Sequence, residues 1–177
     1  MDLTEKTITQ ETVFKGYIIK VRKDTVILPN GKTATREVVE HNGGVCVVPL
    51  TDKNEVIFVK QFRYPYGRVL LEIPAGKRDG DEDPLVCGKR ELREETGAAA
   101  SEYISLGELY PSPGYCNEII YMYLARGLTF GESNPDDDEF LLVEKIPLDK
   151  AAEMVLKGEI KDSKTQAAIL KTKLLLK

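Results

Sequence analysis

The chain contains no tryptophan, one histidine (His41) and three cysteines, Cys46, Cys87 and Cys116. The cysteines are odd in number and widely spaced, and no CxxC pair occurs. This pattern argues against a disulfide framework and against a zinc site. We therefore expect reduced thiols in a cytoplasmic protein.

The chain also lacks long apolar runs and a surplus of basic residues. No run approaches the roughly 20 apolar residues that span a bilayer, and the first ten residues, MDLTEKTITQ, contain no apolar signal-peptide core. The net charge of −4 argues against nucleic-acid binding. We expect neither a membrane nor a nucleic acid as partner. The net charge does not exclude an anionic substrate, because bound cations can reverse the sign of the charge at a site.

The rest of the composition is that of an ordinary globular protein, with 177 residues of which 42% are hydrophobic and 31% charged. That length suits one compact domain with a small appendage. The first 41 residues hold three β-rich runs, and PNGK forms a hairpin turn between the second and the third.

The later segments mix strands with isolated helices. GGVCVVPL predicts a strand covered on both faces, with VIFVKQFR as its antiparallel partner and LLEIPAG as a short further strand. More strands are expected in ISLGELY, EIIYMYLARGL and LLVEKIPL. Helices are expected in DKAAEMVLKG, capped by Asp149, and in DSKTQAAILKTKLLL. The order favours an α/β fold with a mixed sheet between helices.

Residues 76–97, GKRDGDEDPLVCGKRELREETG, concentrate seven acidic side chains around one predicted helix. Asp83 and Pro84 suit its start, and Gly97 suits the left-handed residue after its end. The helix therefore has its own start and stop signals.

Three glutamates, Glu91, Glu94 and Glu95, crowd into five positions of this helix. Like charges one turn apart destabilise a helix by about 0.2–0.5 kcal/mol per pair. One interpretation is a solvated surface helix in which Arg90 pairs with Glu94. The other is a site for divalent cations, because hard cations such as Mg²⁺ prefer carboxylate oxygens.

The spacing of the segment resembles the Nudix box at every defined position: Gly76, five residues, Glu82, seven residues, and then Arg90-Glu91-Leu92-Arg93-Glu94-Glu95-Thr96-Gly97-Ala98. The resemblance implies an α/β/α sandwich around a mixed β-sheet over residues 43–177, beside a small antiparallel β-sheet in residues 1–42. It also implies a site for Mg²⁺ or Mn²⁺ and hydrolysis of a nucleoside diphosphate linked to another group.

Carried over position by position, the resemblance implies that Glu91, Glu94 and Glu95 are metal ligands, and that Glu94 and Glu95 are also catalytic. Ala75 would offer its backbone carbonyl to the metal. The remaining residues of the box would be structural: Gly76, Glu82, Arg90 and Gly97.

Features outside the box are similar to the ADP-ribose pyrophosphatase branch of the family. Pro113 lies fifteen residues past the box. Arg36 in REVVEH and Arg63 in QFRYP match arginines that hold the diphosphate and the terminal ribose, a task that suits the planar guanidinium fork. Glu139, in the loop NPDDDEF, matches a general base or metal ligand, with Asp138 as the alternative.

The branch implies hydrolysis of ADP-ribose to AMP and ribose 5-phosphate by a homodimer, with residues 1–42 contributing to dimerisation and substrate binding. Another nucleoside diphosphate sugar such as GDP-mannose is the alternative substrate, and a non-catalytic nucleotide sensor is the alternative class of protein. The adenine would stack on Phe14, Tyr17 or Tyr66, among which the sequence does not choose.

Overall fold

The computed structural model describes residues 2–134 and 140–177. They divide into two compact units, residues 1–43 with 110–119, and residues 44–109 with 120–177. The sequence predicts a second domain of residues 43–177, which includes 110–119, so the two divisions differ for these ten residues. Within the described residues, no helix is both long and apolar enough to cross a membrane.

The first unit is built on an antiparallel sheet of three strands, β1 (Lys6–Lys15), β2 (Lys20–Ile27) and β3 (Thr33–Glu40). The PNGK hairpin between β2 and β3 is confirmed: the Gly31 N–H donates to the Leu28 carbonyl at 2.9 Å. Gly31 has φ 81°, a left-handed conformation that glycine adopts without strain.

The described residues of the second unit form two sheets and three α-helices. A mixed four-stranded sheet has the order β7-β4-β9-β8, with β4 and β9 parallel, and an antiparallel sheet has the order β10-β5-β6. The predicted sandwich with a mixed sheet is confirmed. The elements are β4 (Gly44–Pro49), β5 (Glu55–Arg63), β6 (Arg68–Glu72), β7 (Ala75–Lys77), α1 (Pro84–Thr96), β8 (Ala98–Leu109), β9 (Ile120–Phe130), β10 (Leu142–Pro147), α2 (Leu148–Leu156) and α3 (Ser163–Leu175).

The predicted antiparallel pairing of β4 with β5 is wrong. Both edges of β4 are occupied, by β7 on one side and by β9 on the other, so β5 pairs with β6 and β10 instead. A single isolated bridge, Leu50 with Val56, remains between the two segments in the described part of the chain. The segment LLEIPAG, predicted as one short strand, contributes to two strands instead, because β6 and β7 belong to different sheets.

Strand β4 is buried along its whole length, as its apolar sequence predicts. Cys46 and Val48 pack in one core cluster with Ile169 of α3, whereas Val47 packs in a second cluster with Leu92 of α1. Successive side chains of a strand point to opposite faces. Helices α1 and α3 therefore cover opposite faces of the mixed sheet.

The predicted N-cap of α2, Asp149, is wrong by two positions. The helix begins at Leu148, directly after β10, and its N-cap is Pro147. The Leu148 N–H donates to the Asn54 carbonyl at 2.9 Å, which satisfies a free helix-terminal donor without a capping side chain. Asp149 instead lies in the first turn and pairs with Lys173.

Candidate active site

Helix α1 carries the acidic segment and begins and ends where the sequence predicts. The Asp83 side chain accepts hydrogen bonds from the N–H groups of Leu85 at 2.9 Å and Val86 at 3.1 Å, with Pro84 in the first turn. Gly97 follows the helix with φ 68°. These caps fix which side chains of α1 face strand β7.

Two glutamates of α1 lie against the backbone that precedes the helix. Glu91 is 8% exposed, and its carboxylate sits beside the α-carbon of Gly76. Glu95 is 3% exposed, and its Oε2 accepts a hydrogen bond from the Ala75 N–H at 3.2 Å. Both carboxylates, one helical turn apart, therefore converge on the Ala75–Gly76 backbone.

Arg90 connects this helix to the loop before it. Its Nη1 lies 2.8 Å from Glu91 Oε1 and 2.9 Å from Glu94 Oε2. Its Nε and Nη2 donate to the two oxygens of Glu82 at 3.2 and 3.1 Å. The hydrogen bond from Arg90 is the main cause that lowers the pKa of Glu82, and the same bond raises the pKa of Arg90. Arg90 thus holds Glu82 and two of the acidic side chains together.

The donor set expected from the sequence, the carboxylates of Glu91, Glu94 and Glu95 and the Ala75 carbonyl, consists only of oxygens, which matches the preference of Mg²⁺ and Mn²⁺. In the residues described, no group of three or more His, Cys, Asp or Glu side chains is already gathered as a metal cluster. Arg90 supplies the positive charge beside Glu91 and Glu94. The chemistry of the donors fits a hard divalent cation.

Arg63 ends strand β5 and is fixed by an acid that the sequence reasoning missed. Its Nε and Nη2 donate to the two oxygens of Glu72, each at 2.7 Å. Glu72 is 2% exposed and also accepts a hydrogen bond from Lys164. Burial acts to raise the pKa of Glu72, but Arg63 and Lys164 together lower it to about 2. The available signal was the charged residue inside the apolar run of LLEIPAG.

The other expected substrate residues have separate surroundings. Arg36 lies in β3 of the first unit, where its guanidinium pairs with both oxygens of Glu5 at 2.9 and 2.5 Å. Phe14, Tyr17 and Tyr66 are all largely exposed. Glu139 and its alternative Asp138 lie outside the described residues.

Comparisons with known proteins match both parts of the chain. Residues 40–167 match the model of the NUDIX domain, and residues 5–39 match the nucleoside diphosphate sugar hydrolase N-terminal domain. A crystal structure titled ADP compounds hydrolase aligns with a TM-score of 0.87 at 21% identity, over 99% of this chain and 96% of that one. At that identity the likeness concerns the fold alone.

Curated relatives carry several names. The chain is 43% identical to the ADP-ribose pyrophosphatase of Bacillus subtilis, over 94% of this chain and 91% of the relative. It is 42% identical to the methanol dehydrogenase activator of Bacillus methanolicus, over 93% and 90%. It is 38% identical to a GDP-mannose pyrophosphatase of Enterobacter, over 73% and 72%. With a complete box on a capped helix and a family model that matches most of its length, the chain belongs to the Nudix family.

Proposed function

We propose that this protein hydrolyses the diphosphate of ADP-ribose to AMP and ribose 5-phosphate, with Mg²⁺ or Mn²⁺ as cofactor. The observation that carries the proposal is the convergence of Glu91 and Glu95 on the Ala75–Gly76 backbone, which brings anionic oxygens to one place. The relative from Bacillus subtilis, named ADP-ribose pyrophosphatase and 43% identical, supports the choice of substrate.

The acidic side chains of α1 are assigned to the cofactor. Glu91, Glu94, Glu95 and the carbonyl of Ala75 would hold it, with Glu94 and Glu95 closest to the chemistry. Bound divalent cations neutralise a diphosphate and polarise its phosphoryl oxygens. In the protein without cations, Arg90 offsets the repulsion between Glu91 and Glu94.

The remaining roles fall to residues beyond α1. Glu139 takes the proton of the attacking water as general base. Attack on phosphorus breaks its bond to the bridging oxygen, which leaves with one of the two phosphate products. Arg36 and Arg63 bind phosphate oxygens and orient the diphosphate, because a guanidinium can donate two parallel hydrogen bonds to such an anion.

The test is an incubation of the purified protein with ADP-ribose and Mg²⁺ or Mn²⁺, followed by chromatographic identification of the products. We expect AMP and ribose 5-phosphate in equal amounts, and none when EDTA is added. Release of inorganic phosphate would contradict the proposed cleavage between the two phosphorus atoms. The absence of any product with either cation would favour a non-catalytic nucleotide sensor.

GDP-mannose is the second candidate substrate. The 38% identity to a GDP-mannose pyrophosphatase and the match of residues 5–39 to a nucleoside diphosphate sugar hydrolase segment both support testing it. A parallel assay of the two compounds under the same conditions decides between them by kcat/KM. A higher value for GDP-mannose would reassign the substrate and leave the reaction class unchanged.

We further propose that the protein is a cytoplasmic homodimer in which residues 1–42 serve dimerisation and substrate binding. All ten residues of β1 are exposed, including Ile8, Val13 and Phe14, and β1 lies at the edge of its sheet. Exposed apolar side chains on an edge strand favour association with another chain. Light scattering during size-exclusion chromatography should give twice the mass of 19.8 kDa. A monomer at micromolar concentration would refute the dimer.

A further inference from the structure

Four charged side chains form one cluster where β5 and β6 meet the start of α3: Arg63, Glu72, Asp162 and Lys164. Arg63 donates twice to Glu72, at 2.7 Å each. Lys164 donates to Glu72 and lies 3.0 Å from Asp162 Oδ1. The four members thus carry two positive and two negative charges. The hydrogen bond to Glu72 is the main cause that raises the pKa of Arg63, and the nearby carboxylates of Asp162 and Glu95 raise it further.

The cluster is buried on one side and open on the other. The side chain of Glu72 is 3% exposed and that of Lys164 is 10% exposed, whereas that of Arg63 is 38% exposed. Arg63 has five N–H donors, and two of them are taken by Glu72. The part of the guanidinium that is turned away from Glu72 presents a second edge, which can bind a bidentate anion.

Stability alone does not account for this arrangement. Burying ion pairs is costly, and apolar residues of similar volume often stabilise a protein as well or better. The start of α3 is also tied to the residue after β6 by a contact that needs neither Lys164 nor Glu72, because the Ile73 N–H donates to Thr165 Oγ1 at 3.0 Å. We therefore expect the charges of Lys164 and Glu72 to have a role other than fixing the position of α3.

We propose that Lys164 is a positioning residue that acts through Glu72 on Arg63, so that the open guanidinium edge of Arg63 is held ready for the substrate diphosphate. This inference rests on the proposed function. Lys164 supplies a second donor to Glu72, which fixes the carboxylate that in turn grips Arg63. Without Lys164, the two negative charges of Glu72 and Asp162 exceed the one positive charge of Arg63. The resulting negative charge opposes an anionic ligand.

A charge series tests the proposal. Lys164→Met makes the cluster net negative, Asp162→Asn makes it net positive, and the double variant restores neutrality. Asparagine still caps α3, because its side-chain oxygen can accept the hydrogen bond that Asp162 receives from the Thr165 N–H. Lys171→Met is the matched control, since this lysine of α3 donates to the Leu106 carbonyl at 2.6 Å, away from the cluster.

With ADP-ribose and Mg²⁺, Lys164→Met should raise KM by about tenfold, as expected for the loss of a well-placed charged hydrogen bond, with a smaller change in kcat. Asp162→Asn and Lys171→Met should leave KM within about threefold of the wild-type value, whereas the double variant should fall between wild type and Lys164→Met, because it restores neutrality but still lacks the donor to Glu72. A purely structural role would make KM follow the loss of thermal stability instead, and that order would overturn the proposal. If Lys164→Met alone does not fold, the double variant, in which the charge of the cluster is again balanced, decides by its KM relative to wild type.

A second measurement does not depend on activity. In ¹⁵N-labelled protein, the Nε–H signal of Arg63, identified by its loss in Arg63→Lys, should shift or broaden in Lys164→Met and in the double variant, which both lack the donor to Glu72, and should stay in place in Lys171→Met. An unchanged signal would overturn the positioning role. A wild-type protein that does not cleave ADP-ribose would refute the proposed function, whereas the Arg63 signal would still decide this inference.

Discussion

The carboxylate of Glu91 occupies the space that a β-carbon would fill at Gly76. A β-carbon built there would lie 1.9 Å from Glu91 Cδ and 2.0 Å from Oε1, far inside contact distance. Glu91 can approach the backbone before α1 because residue 76 has no side chain. The glycine of the box is thus required by a close approach, and not by a left-handed backbone.

Gly76→Ala should displace Glu91 and lower both activity and stability. Overpacking of this kind costs about 1–3 kcal/mol in free energy of unfolding. Urea denaturation of the variant measures that cost, and the hydrolysis assay measures the loss of activity. Gly114→Ala is the control, because a β-carbon at Gly114 meets nothing within 4 Å. Equal behaviour of the two variants would show that the contact between Glu91 and residue 76 is unimportant.

Glu95→Gln should keep the fold and reduce kcat by about a hundredfold or more, in the range found for loss of a catalytic carboxyl group. The amide can still accept the hydrogen bond from the Ala75 N–H but cannot supply the negative charge. Glu102→Gln, on an exposed side chain, should be neutral. In calorimetric titration, Glu95→Gln should bind Mn²⁺ more weakly than wild type, whereas Glu102→Gln should bind it as wild type does. Near-normal turnover at saturating Mg²⁺ would remove Glu95 from the metal site.

Substitutions in the loop that contains Glu139 should identify the general base. Glu139→Gln should lower kcat by about a hundredfold and abolish the acidic limb of the pH–rate profile, because the amide cannot accept the proton of water. Asp138→Asn should change kcat little. The reverse pattern would assign the proton transfer to Asp138.

The pH dependence of stability should report on Glu72. Its pKa is lowered from 4.5 to about 2 in the folded protein, so the folded state is stabilised when the pH is above 4.5. That contribution, on the order of 3 kcal/mol, is lost progressively as the pH falls from about 4.5 towards about 2. Urea denaturation at several pH values should show the stability gap between wild type and Glu72→Gln closing over this window. A constant gap would contradict the low pKa.

The pair of Arg36 and Glu5 should not hold Arg36 away from a substrate. Both side chains are partly exposed, at 44% and 33%, and pairs of this kind contribute only about 0–1 kcal/mol. Glu5→Gln should therefore change KM less than about fivefold, whereas Arg36→Gln should raise it about tenfold or more. Steady-state kinetics with ADP-ribose distinguish the two. Equal effects of both substitutions would show that Arg36 serves the ion pair and not the diphosphate.

Local signals in the sequence were sufficient for the bounds of α1 and for its acidic residues. Asp83, Pro84 and Gly97 act within one or two turns of chain, so α1 begins and ends where they predict. The ion pair of Arg90 with Glu94 follows equally from their spacing of four residues. The PNGK turn between β2 and β3 is local in the same sense.

Tertiary structure decided what depends on residues far apart in the chain. Strand β4 pairs with β7 and β9. Nothing in the sequence of β4 or β5 indicates that these two strands occupy both edges of β4. The same holds for the cluster around Arg63, where Glu72 and Lys164 meet across 92 positions. The sequence by itself determined the family, the capped helix and the list of acidic residues, because caps and spacings are local. Only the fold decided which charges become buried neighbours, because burial is a property of the packed chain.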